Sequence, residues 1–242
     1  MRINALSGVQ PDNLRATNIM DYEHPLCCQA VTYLQNENSG KPKRIFLQNA
    51  HHYIRKAVRP VYTLDEFQSV SRTLEKKQGS CSQRTACLEA VARGNGIATR
   101  VRALWIDGKF WYPRFGFTSW FIPKRVLLAW PQFYLDNERA IWVDFDEIFA
   151  ETGEMVKQTN AGFANNGETI FEAITHIPVD FLGKSRKCVG VCDPSQFDLS
   201  KFVLSDEGFF DTRDELYSKL YTLHHSWQGK MFKLIYGNRK SL

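Results

Sequence analysis

The thiol of Cys81 is the side chain of this sequence best placed for covalent chemistry. It follows Gly79 and Ser80, a turn residue and a helix-capping hydroxyl, and it precedes Ala86, Cys87, Ala90 and Val91, small apolar residues at helical spacing. A cysteine at a helix N-terminus meets unpaired backbone N–H groups and the positive end of the dipole. Its thiolate is favoured there, and an oxyanion can be held nearby. Cys81 is therefore the candidate nucleophile, against the plain reading of a small buried hydrophobe. A thiol at its ordinary pKa of about 8.5 is ionised to only a few per cent at neutral pH, so a base is wanted. The imidazoles on offer are His52 and His176, with His51 and His24 behind them. Asp107, or Asp144 with Asp146, would serve a reaction that needs only a carboxylate. Gln78, just upstream of the thiol, has a side-chain amide able to complete an oxyanion hole, or is simply a polar turn residue.

Two other groupings have the right residue types and the wrong arrangement. Cys188 and Cys192 bracket Val189-Gly190-Val191, but a structural zinc site wants four ligands and no second pair is spaced to match. His224 and His225 are neighbours on a predicted helix and point in different directions. We expect no metal and no cofactor.

The elements that must position Cys81 follow from periodicity. His24-Pro25 opens a helix with Leu26, Ala30, Val31 and Leu34 on one side, closed by Asn36 to Gly40. A second helix runs from about Lys43 to Val58 and stops at Pro60, and a third covers about Leu64 to Lys77. The helix headed by Cys81 ends at Asn95-Gly96, and Ile97 to Ile106 then alternates as a strand. Asp107-Gly108 is a hairpin signal that predicts a returning aromatic strand from Lys109 to Phe115, with Pro113 confining it to an edge. Val126 to Leu135 and Arg139 to Phe145 pair around Asp136-Asn137, and Asp146 to Phe149 begins a short helix. The aromatic stretch Trp105, Phe110, Trp111, Tyr112, Phe115, Trp120, Phe121 is core packing that also has the makings of an apolar substrate cleft.

Gly79-Ser80-Cys81, the small-residue helix, and Gly96-Ile97-Ala98-Thr99-Arg100-Val101 entering a strand together resemble the core of the transglutaminase-like superfamily, a relative of the papain-type cysteine enzymes. The resemblance spans roughly residues 45 to 150. It implies a His-x-Trp on the next strand and an Asp near the end of the one after. Here those places read Leu128-Ala129-Trp130 and Trp142-Val143-Asp144. Trp130 and Asp144 match; the base is a leucine. Asp144 also reads as an end-of-strand cap for the helix after it. The implied fold is α+β: a transglutaminase-like/papain-like core, N-terminal helices packed on an antiparallel sheet, with a helical C-terminal extension.

We divide the chain into a core domain, 1–155, and an extension packing on it, 156–242. In the extension we expect a short helix at Thr169 to Thr175, a strand at Ile177 to Phe181, and a long helix from Thr212 to about Ile235. With 242 residues, 43% of them hydrophobic and 13% aromatic, a sizeable core is available. No apolar run is long enough to span a membrane, and the first residues lack the apolar stretch of a signal peptide. We expect a cytoplasmic protein with reduced thiols. The net charge of +5 is scattered among acids, which argues little for nucleic acid.

Three readings of function follow. The first is a thiol enzyme doing acyl transfer, hydrolysis or cyclisation through a Cys81 acyl-thioester. The resemblance allows a small-molecule or carrier-protein-bound acyl substrate in natural-product biosynthesis, with Arg100, Arg102 and Arg114 facing an acidic carrier. The second is a binding or scaffold protein that has lost its base; a papain-like peptidase is a weaker third.

Overall fold

Helix α1, Pro25–Glu37, starts where the sequence requires it. Pro25 occupies the first turn, and the His24 ring accepts the Leu26 N–H at 3.3 Å. Its inward side is Cys27, Ala30, Val31 and Leu34, whereas Leu26 is exposed. The structure is a computed structural model describing residues 8–63, 65–135, 141–149, 169–176, 179–183 and 199–220. Helix α2, Lys43–Ala57, buries Phe46, Ala50 and Ile54 and runs into β1, Arg59–Pro60. Helix α3, Val70–Lys76, is shorter than its predicted span because Ser69 caps it. Strand β2, Gln78–Gly79, pairs in parallel with β1, Arg59 opposite Gln78 and Pro60 opposite Gly79. This two-residue clasp brings the segment after β1 alongside the start of α4, Cys81–Gly94.

Every residue of α4 from Gln83 to Arg93 is buried, so this helix is the centre of the molecule and not an amphipathic cover. Gly96, at φ +73°, takes the left-handed position that ends it. The sheet that follows is antiparallel throughout, in the order β5-β4-β3-β6. Its strands are β3 (Thr99–Asp107), β4 (Arg125–Leu135), β5 (Ile141–Asp144) and β6 (Val203–Phe210). The fold is α+β, helices followed by antiparallel sheet, with Val101, Ala103, Leu104, Trp130 and Phe133 in the shared core.

Three readings are corrected. Asp107-Gly108 is no hairpin turn: β3 pairs with β4 up to Asp107 opposite Arg125, and residues 108–124 make an excursion of helical turns that includes α5, Tyr112–Phe115. Gly108 is needed for close approach, since a Cβ there would lie 2.0 Å from the Pro123 carbonyl oxygen. The predicted strand over 177–181 is not formed where it is described, at 179–181. Strand β6 was not anticipated. It is a half-exposed edge strand interrupted by Asp206, Glu207 and Gly208, a composition without clear alternation. Two helices complete the described chain, α6 (Ile170–Ala173) and α7 (Arg213–Leu220), the latter capped by Thr212, whose hydroxyl accepts the Glu215 N–H at 3.1 Å. The Asp136-Asn137 turn, the linker near 160 and the helix beyond 220 lie outside the described residues.

Candidate active site

Cys81 is the first residue of α4 and forms part of the wall of a cavity of about 120 Å³. A capping box holds the helix start: Gln83 N–H donates to Ser80 Oγ at 3.1 Å, and Ser80 N–H to Gln83 Oε1 at 3.0 Å. Arg84 N–H donates to the Ser80 carbonyl at 2.9 Å. The N–H groups the cap does not engage are those of Cys81 and Ser82, the pair an oxyanion beside Sγ would use. The rest of the wall is mostly apolar, with Val61, Trp111, Phe115, Leu127, Leu128 and Ile170, joined by the polar groups of Glu66, Ser82 and Arg114. Leu128 thus stands in the same cavity as the thiol.

The dipole does not win at this thiol. Burial pushes Cys81 up to about 11, and the charge of Glu172 adds to it. Arg84, a backbone hydrogen bond from Phe171 and Arg114 pull the other way and fall short. At neutral pH the resting group is the thiol, contrary to the thiolate that helix position alone predicts. Glu172 itself is ion-paired with the fully buried Arg84, whose guanidinium also lies 4.4 Å from the centre of the Phe171 ring.

Among the described residues, no histidine lines the cavity. His51 is buried behind it. Its Nε2–H donates to the Phe171 carbonyl at 2.5 Å, its ring stacks on Phe171 at 4.1 Å, and burial pushes it down to about 3, so it is neutral. His52 lies on the exposed side of α2, lowered by partial burial and by Arg55 and Lys56. His176 follows α6, with Nδ1 2.9 Å from Thr175 Oγ1. His24 caps α1.

The carboxylates predicted from the sequence are also outside the cavity wall. Asp107 caps the turn after β3, accepting the Lys109 N–H at 2.9 Å. Asp144 is buried opposite Gln132, whose amide donates to it at 2.7 Å; Gln132 in turn accepts from Arg100 Nε at 2.8 Å. Asp146, beside it, is pushed up to about 8 by burial and by Asp144. Gln78 accepts from Arg59 Nη2 at 2.6 Å within the clasp. Trp130 is a core residue, edge-on to Phe145 at 5.5 Å and Phe181 at 5.6 Å, and Trp105 packs under the Arg125 guanidinium at 4.8 Å. Of the three arginines, Arg114 lines the cavity; Arg100 lies between Trp142 and Phe209, and Arg102 is ion-paired with Asp206.

The sequence reading missed the polar part of the cavity wall. Glu66 Oε2 accepts from Ser82 Oγ at 2.5 Å and from Tyr217 OH at 3.0 Å. Arg213 Nη1 donates to both hydroxyl oxygens at 3.0 Å, and its Nε donates to the buried Glu89 at 2.8 Å. Ser82 is adjacent to Cys81 and was legible as a neighbour. Glu66 comes from one stretch and Arg213 and Tyr217, one turn apart on α7, from another, without a shared motif. Among the described residues no group of three or more His, Cys, Asp or Glu is arranged to hold a metal. Cys188, Cys192, His224 and His225 lie outside those residues.

A family model described as "Transglutaminase-like superfamily" matches residues 28–147. A solved structure described as that of a "Putative Cysteine Protease from Cytophaga hutchinsonii" is similar at 12% identity and a TM-score of 0.40, over 58% of this chain and 43% of that one. The chain therefore spans less than half the length of that solved protein. No curated protein matches it.

Proposed function

With residues 28–147 belonging to the transglutaminase-like superfamily as premise, we propose that the chain is a cysteine enzyme that moves an acyl group through a thioester on Cys81, ending in transfer, hydrolysis or cyclisation. The observation that carries this reading is the thiol at the head of a capped helix, opening onto a cavity whose walls are apolar. Such walls take up an alkyl chain by burial, at roughly 0.8 kcal/mol per methylene, and leave the carbonyl beside the N–H groups of Cys81 and Ser82. A small-molecule or carrier-bound acyl thioester, of the kind handled in natural-product biosynthesis, suits this geometry. Among the described residues, Arg114 is the arginine in the wall that would meet an acidic carrier. A reducing, cytoplasmic setting fits the four described cysteines, all free thiols.

The test is incubation with butyryl-N-acetylcysteamine from neutral to mildly alkaline pH, followed by peptide mass spectrometry. A butyryl group on Cys81, absent from Cys81→Ala, is expected. No adduct at any pH in that range ends this reading.

The thiol held at about 11 beside Leu128 favours a second reading, a binding protein that keeps the cleft and has lost its chemistry. Its signature is an adduct that forms only in Leu128→His.

A further inference from the structure

The cavity contains a carboxylate whose hydrogen bonds prepare it for proton transfer. Glu66 sits in its wall with Cys81 and Ser82. Arg213 Nη1 donates to the oxygens of Ser82 and Tyr217, which stand 2.9 Å apart; with both oxygens already accepting from the arginine, each hydroxyl proton turns to the carboxylate, and both reach Glu66 Oε2. Two O–H donors on one oxygen fix the carboxylate and leave that oxygen no place for a proton. Any proton Glu66 takes therefore belongs on Oε1, which makes no hydrogen bond among the described residues. Beneath it, Glu89 holds Arg213 directly. Burial already raises the affinity of Glu66 for a proton, against Ser82, Arg213 and Tyr217, with Asp65 adding to the rise.

We propose that Glu66 is the acid–base residue of this site, taking on Oε1 the proton of the Cys81 thiol as the thiol attacks an acyl carbonyl, and giving it to the leaving group. The proposal rests on the acyl-transfer reading above. In the first half, the Sγ–C bond forms while the S–H proton passes to Glu66. The tetrahedral oxyanion then collapses, the bond from carbon to the leaving group breaks, and that group departs with the Glu66 proton. In the second half an acceptor O–H or N–H gives its proton to Glu66 as it attacks. The C–S bond breaks and sulfur takes the proton back, regenerating the thiol. A group that rests as a thiol needs this service more than a resting thiolate does.

The groups around this proton are Ser82 and Cys81 on α4, Tyr217 and Arg213 on α7, Asp65 and Tyr62 on the segment of Glu66, and Arg114 on α5. Glu172 and Arg84, ion-paired with each other, also act on the thiol, Glu172 raising it and Arg84 lowering it. The experiment is the pH dependence of butyrylation by p-nitrophenyl butyrate, read as nitrophenolate release and Cys81 mass, beside alkylation by iodoacetamide. In Glu66→Gln, butyrylation falls by about a hundredfold and loses its lower inflection, while alkylation is unchanged or faster, because a nearby negative charge has gone. Loss of both reactions alike means a structural role and overturns the proposal, as does butyrylation with an unaltered rate and profile. Should Glu66→Gln not fold, Tyr217→Phe removes one donor from Oε2 and moves the inflection up by about half a unit or more; an unmoved inflection overturns it too. Wild-type protein that is never butyrylated overturns the acyl-transfer reading and this proposal together, whereas a butyrylated wild type with an indifferent Glu66→Gln sinks this proposal alone.

Discussion

Two polar clusters flank the middle of the sheet, and they have opposite fates. On the α4 side, Cys81 and Glu66 share a cavity wall and the Glu66 network reaches back through Arg213 to Glu89. On the β5 side, Asp144 and Gln132 are buried with Arg100, which is packed between two aromatic rings. The first cluster has a carboxylate oxygen left over; the second has turned its carboxylate to sheet pairing. Register explains why. Asp144 lies opposite Gln132, four residues along β4 from Leu128, a separation of about 13 Å at strand rise. The nucleophile's frame is kept while the carboxylate on β5 serves the sheet.

The largest expected effect separates the clusters by stability. Arg213 is almost wholly buried and is the cation that Glu89, equally buried, depends on. Burial works against its charge, yet Glu89 and Tyr217 hold the guanidinium above its ordinary value. Arg213→Met strands Glu89 in the core and costs about 3–5 kcal/mol in urea unfolding. Arg102→Met, which breaks a half-exposed pair with Asp206, costs less than about 1 kcal/mol. Equal losses would erase the contrast.

Next comes Leu128→His, which puts an imidazole in the cavity opposite the thiol. An imidazolium favours the thiolate only where the ring is itself protonated, so the alkylation midpoint near 11 stays where it is while alkylation near neutral pH rises by up to about tenfold. Alkylation near neutral pH no faster than in the wild type would mean that position 128 does not reach the thiol.

How far these clusters could be foreseen depends on how local their causes are. The Cys81 frame was legible because Gly79, Ser80, Cys81 and Gln83 act within one turn of helix. Helices α1, α2 and α4 and strands β3 and β4 were legible from periodicity and caps. The excursion after Asp107 was not, since Gly108 is fixed by the Pro123 carbonyl, well beyond the reach of a turn, a contact that turn chemistry does not encode. Strand β6 and the Glu66–Tyr217–Arg213 contacts join stretches far apart in the chain, so no spacing announces them. The thiol's resting state failed for a different reason: helix position predicts the sign of one contribution, and burial, which is a tertiary property, outweighed it.

A smaller effect lies in the pH dependence of stability. Asp146 rises to about 8 when folded, so its protonated form is the stable one. That contribution is complete below its unfolded pKa of about 4 and is lost as pH rises through about 8. His51, lowered to about 3, acts in the opposite sense: its contribution is complete above about 6.5 and is lost as pH falls. Asp146→Asn should remove the alkaline loss, on the order of 1–3 kcal/mol, leaving a urea midpoint that climbs to about pH 6.5 and then levels. A midpoint that still falls toward pH 8 would place the alkaline loss elsewhere.

The smallest expected effect is a coupling near zero, and it tests the comparison most directly. If Asp144 oriented a base at position 128, then in the Leu128→His background Asp144→Asn would undo most of the gain in Cys81 reactivity. The register argues against it: Asp144 accepts the Gln132 amide, and Arg100 is tied to the same glutamine. An asparagine at 144 still offers Gln132 an acceptor, so the chain of contacts persists and its stability cost stays below about 1 kcal/mol. Alkylation of Cys81 in Leu128→His with Asp144→Asn should match Leu128→His alone, the two changes being additive within about 0.5 kcal/mol. A double variant that falls back to the wild-type rate would show β4 and β5 sliding or bending enough to bring the carboxylate to the imidazole. The two clusters would then be halves of one site.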